Sequence, residues 1–150
     1  MKRNASFIIA ALIVVLLVGA TLPKSADAKV LKGSGTLRAR GSGLAILDCK
    51  EADIDITGHG VGVIVIKGAE VIEAQGRGRR VDLPNGVVHL VGWRGTVSVR
   101  GTDLHVLIEG VHIEFQVTGT GRVFLRGRGR YWVNERDGTW NEAGSDIDME

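Results

Sequence analysis

The chain has 150 residues, 44% of them hydrophobic and only 5% aromatic, with a formal net charge of +2 at pH 7. That length suits one compact domain with a buried core. A single cysteine, Cys49, excludes an intramolecular disulfide and a multi-cysteine zinc site, and no basic stripe interleaved with aromatics is present to bind nucleic acid.

Residues 1–28 read as an export signal. Lys2 and Arg3 precede an unbroken apolar and small stretch from Phe7 to Ala20, and Ala26-Asp27-Ala28 is a cleavage pattern that makes Lys29 the expected mature N-terminus. The apolar run falls short of the roughly 18 residues of a spanning helix, and an uncleaved anchor is the alternative. A secreted or cell-envelope location follows, with no transmembrane span after cleavage. The positive net charge leaves with the leader, and the remaining cationic and anionic residues balance.

Residues 29–134 predict an all-β domain. Apolar residues recur at period two, valine and isoleucine dominate, and no 3.6-residue period is sustained. Glycine-containing turns punctuate the runs, among them Gly41-Ser42-Gly43, Gly58-His59-Gly60, Gly76-Arg77-Gly78, Asn85-Gly86, Gly119-Thr120-Gly121 and Gly127-Arg128-Gly129. Gly41, Gly58, Gly76 and Gly95 follow one another at intervals of 17 to 19 residues, so one strand with its turn takes about nine. Two architectures share this rhythm: an antiparallel meander of hairpins closing into a sandwich or barrel, or a β-solenoid with two strands per coil.

Parity favours the meander. Leu47 and Cys49 give way to Ala52, Ile54 and Ile56 across Lys50-Glu51, and Val97 and Val99 give way to Leu104, Val106 and Ile108 across Arg100-Gly101. These switches are the ones two-residue hairpin loops demand. The expected pairs are Val106 with Ile113, Val117 with Val123 and Leu83 with Val88. The run from Val71 to Gln75 fits poorly, because it would turn Glu73 inward. Residues 135–150 carry six acids against Arg136 alone and read as a solvated acidic tail, which leaves residues 29–134 at +5.

Chemistry-bearing residues are sparse. Asp82, His89 and Ser98 would fall in one outward row and suggest a small secreted hydrolase, but no G-x-S-x-G elbow presents the serine. His105 opposite Glu114 offers two metal ligands at most, and neither a metal nor a cofactor is expected. The arginine-rich turns Gly76-Arg77-Gly78-Arg79-Arg80 and Arg126-Gly127-Arg128-Gly129-Arg130 present forked donors suited to phosphate, sulfate or carboxylate. Otherwise they keep the protein soluble or bind its own acidic tail. Outward apolar residues, Leu44, Ile46, Val63, Val65, Ile72, Val87 and Val91, call for a covering layer or a contact surface.

The pattern Gly33-Ser34-Gly35-Thr36-Leu37, Pro84-Asn85-Gly86, Gly127-Arg128-Gly129-Arg130-Tyr131 and Gly138-Thr139-Trp140 resembles small uncharacterised secreted prokaryotic glycine-rich all-β proteins. That resemblance implies no activity. The strand-plus-glycine rhythm is also similar to adhesin-head and bactofilin-type β-repeats, which implies an adhesive or scaffolding role and a solenoid. The expectation is a non-enzymatic, structural or adhesive envelope domain that binds acidic polysaccharide, lipid headgroups or its own copies, with Arg77, Arg79, Arg80, Arg126, Arg128 and Arg130 as contacts.

Overall fold

Side chains alternate between buried and exposed along nearly the whole described chain, and the backbone answers with strands alone. The computed structural model describes residues 35–60 and 62–149; the expected leader lies outside them. Among the described residues six strands occur: β1 (Gly35–Gly58), β2 (Gly62–Lys67), β3 (Val71–Asp82), β4 (Val88–Val133), β5 (Arg136–Trp140) and β6 (Ser145–Met149). Every ladder between these strands is antiparallel. The sheet is not closed into a barrel.

The long strands bend at their glycines and change partners, which divides the pairings into two separate rows. One row runs 136–140, 129–133, 35–41, 113–119, 51–58, 95–102, 71–77. The other runs 145–149, 121–127, 43–49, 104–110, 62–67, 88–91, 79–82. Both rows bury one face in the same hydrophobic cluster, so they form the first and second layers of a sandwich. The chain winds from layer to layer outward through residue 82, reverses at the tight turn 83–87, and winds back with its return segments lying between the outgoing ones.

This route corrects the expected pairs. Val106 lies opposite Leu47 and Ile66, whereas Ile113 lies opposite Gly41 and Gly58. Val117 faces Leu37 and Ile54, and Val123 faces Leu47 and Ile147. Asp82 takes the place beside Val88, and the Leu83 N–H donates to the Val87 carbonyl at 2.9 Å. A hairpin and an arch both keep the same residues facing inward; they differ in whether the two arms hydrogen-bond or face each other across a core. Parity tests the first property and is blind to the second. Most of the glycine turns are arches. Segments one coil apart, such as 35–41 and 51–58, share a layer but are separated by 113–119.

The glycines permit the arches to nest. Gly95 has φ 141° and packs so closely on the neighbouring corner that a Cβ there would meet the Gln75 carbonyl oxygen and the Gly76 Cα. The inner faces contribute Leu37, Leu47, Ile54, Ile66, Leu90, Leu104, Val106 and Leu125, all essentially inaccessible, and no polar or charged residue is buried among the described residues. Leu83, expected to face inward, is instead exposed at the start of the turn 83–87. In β3 it is Ile72 and Ala74 that pack on the core, and Glu73 points to solvent.

The expected solvated tail is built into the sandwich. β5 and β6 pair with β4, and Trp140, Ile147 and Met149 are buried. The Trp140 ring lies 6.5 Å from that of Phe115. In Asp146-Ile147-Asp148-Met149 the acids face out and the apolar residues in. Net composition averages the two faces and conceals this period-two strand.

Candidate anion-binding corners

The six arginines expected to bind anions occupy two corners on the same long edge of the sandwich. The corner around Arg128 is followed along that edge by the corners near residues 42, 111–112, 60 and 93, and then by Gly78. At about 4.8 Å per strand, the two arginine groups stand about 24 Å apart. They form two sites, not one.

The first corner is partly neutralised by the chain itself. Arg128 pairs with Glu142 at 3.6 Å and Arg130 with Asp137 at 3.4 Å, while Arg126 has no acidic partner among the described residues. Arg130 also lies over the Trp132 ring, 5.6 Å from its centroid. Both ion pairs are solvent-exposed and contribute little stability each. They nevertheless place carboxylates where an anionic ligand would have to sit.

The second corner differs. Arg77 is the cross-strand partner of Arg94, and Arg79 is that of Val91. Arg77, Arg79 and Arg94 have no acidic partner among the described residues. Arg80 is held by Asp82, with guanidinium-to-carboxylate hydrogen bonds of 2.8 to 3.1 Å. This hydrogen bonding raises the Arg80 pKa and lowers that of Asp82. The backbone carrying the group is seated firmly: a Cβ on Gly78 would lie 2.9 Å from the Trp93 Cα, and Gly76 abuts Gly95. Arg94 was not among the residues the sequence singled out, although Gly92-Trp93-Arg94-Gly95 is a glycine-flanked arginine of the same kind.

The hydrolase row does not assemble. Ser98 belongs to the first layer, where its hydroxyl donates to Asp55 at 2.6 Å. His89 belongs to the second layer and lies opposite Val65 and Val81, not beside Ser98. The outer faces of the two layers point in opposite directions, so His89 does not reach the serine as a base. His105 hydrogen-bonds Asp48 rather than meeting Glu114, which lies opposite Arg40 and Thr57. Among the described residues no group of three His, Cys, Asp or Glu side chains could hold a metal ion. Cys49 is a buried core residue whose thiol pKa is pushed up to about 11 by burial and then by the neighbouring Asp48 charge.

No protein family, curated protein or solved structure matches this chain. The corners must therefore be interpreted from their own chemistry.

Proposed function

We propose that this protein is a non-enzymatic, extracytoplasmic β-domain that binds acidic polysaccharide through the corner bearing Arg77, Arg79 and Arg94, flanked by Arg80. The observation that carries this reading is the register of Arg77 against Arg94 without an intervening carboxylate. Cβ atoms of directly opposed cross-strand residues lie about 5 Å apart. Two like charges there repel by up to about 1 kcal/mol in water, and a bridging anion turns that repulsion into attraction. Guanidinium forks match the carboxylate and sulfate groups of acidic sugars. A row of such groups along a polymer can engage several arginines together.

The test is titration of the protein with a polyuronate and with a sulfated dextran. Raising ionic strength from about 0.01 to about 0.15 M shortens the screening length from about 30 to about 8 Å and should weaken binding strongly. Combined replacement of Arg77, Arg79 and Arg94 by serine should abolish binding and leave the circular dichroism spectrum unchanged. Replacing Arg126, Arg128 and Arg130 should have much less effect. Salt-insensitive binding, or full binding by the Arg77, Arg79, Arg94 variant, would refute the assignment. Binding to anionic lipid vesicles but to neither polymer would identify a headgroup instead.

A further inference from the structure

The outer faces of the two layers differ in chemistry. On the second layer, cross-strand register aligns Phe124, Ile46, Leu107 and Val65 in one row over four adjacent segments. In the next row Leu44 and Val63 lie on either side of Glu109. All six apolar side chains are half-buried. The matching central row of the first layer is Trp132, Arg38, Gln116, Asp55, Ser98 and Glu73, which is polar except for the tryptophan. Folding does not require the apolar face, because both inner faces already supply the core. Contiguous, partly exposed apolar rows on one side of a protein suit a contact surface.

We propose that this face packs against the same face of a second copy, the pair being related by a two-fold axis at Leu107 that runs along the strands. Segments 43–49 and 62–67 flank 104–110 on either side, so that rotation exchanges them. Ile46 then meets the partner's Val65, Leu44 meets the partner's Val63, and Leu107 meets its own counterpart. Charge follows the same symmetry. Asp48 and Lys67 both lie in the row of His105, one on each side of it, so Asp48 meets the partner's Lys67 and the reverse. Glu109 and His105 are exposed and lie on the axis on either side of Leu107, so each faces its own counterpart, and the Glu109 pair opposes tight association.

The size suits a weak homodimer. The five central segments, 121–127, 43–49, 104–110, 62–67 and 88–91, give a face of roughly 24 by 20 Å, or about 500 Å² in projection. This is below the roughly 800 Å² per partner of a standard interface, in the range of weak association, and it leaves Arg79 outside the contact. An isologous contact between apolar rows with complementary charges at their borders is the commonest arrangement for a homodimer.

The experiment is sedimentation velocity on the natively processed protein. Wild type should sediment as a dimer at about 100 µM. Leu107→Asp should sediment as a monomer. Asp48→Lys should weaken dimerisation about tenfold or more by setting two lysines face to face, and Asp48→Lys combined with Lys67→Asp should restore it. Both charged residues are exposed, so these variants test the contact even if Leu107→Asp fails to fold. A monomeric wild type, an undiminished dimer in Asp48→Lys, or no recovery in the charge swap would overturn the proposal. The Arg77, Arg79, Arg94 triple variant should remain dimeric, which separates this contact from polymer binding.

Discussion

Arg77 stands directly opposite Arg94 on the neighbouring strand, two cations in register on an exposed corner. Local repulsion of this kind reduces stability and favours anions. Arg94→Glu should therefore raise the melting temperature slightly, through a cross-strand pair that contributes up to about 1 kcal/mol. The same substitution should reduce binding to a polyuronate at low salt. Thermal denaturation and polymer titration on one preparation measure both effects, and a gain in polymer affinity would contradict the relationship.

Nested glycine corners predict two unequal costs. Gly95→Ala places a Cβ against the Gln75 carbonyl oxygen at φ 141°, in backbone that cannot recede without opening the corner. The expected loss is about 3 kcal/mol or more. Gly86 also has positive φ, 75°, but nothing lies within 4 Å of its hypothetical Cβ. Gly86→Ala should cost only about 1 kcal/mol. Urea denaturation of the two variants gives the comparison directly.

Integration of the C-terminal strands predicts that the last residues matter through their apolar positions. Met149 is fully buried, and Met149→Ala should destabilise the fold by about 2 to 5 kcal/mol. Asp148 is exposed and paired with Arg122, and Asp148→Asn should cost less than about 1 kcal/mol. Chemical denaturation midpoints distinguish these outcomes. Equal, small effects would describe a solvated tail instead of a strand.

Cys49 predicts both a reactivity and an alkaline limb of stability. With its thiol pKa near 11, the folded protein should resist alkylation at pH 8 and react readily once unfolded. The folded pKa lies above the unfolded value of about 9, so the thiol's contribution is fully present below pH 9. It is lost as pH rises toward 11, because the unfolded chain releases the proton first. Stability measured from pH 8 to 11 should fall less steeply in Cys49→Ala than in wild type.

The alternation of inward and outward residues was legible in the sequence, as were the all-β class and the places where the chain must turn. Leu47, Ile54, Val97, Val106 and Phe115 are core residues because period two sets side-chain direction, whatever strand lies alongside. Partner choice was not legible. Whether Gly119-Thr120-Gly121 makes a hairpin or an arch depends on which distant backbone lies next to it, and a Cβ at Gly121 would meet the backbone of Cys49. The same holds for the arginines: Arg128 and Arg77 sit in similar glycine-rich turns, yet one received Glu142 as a neighbour and the other received Arg94. Sequence alone determined direction and turn positions, because those follow from backbone geometry over a few residues. Tertiary structure decided which corners nest and which charges meet, because long-range register is set by packing of the whole core.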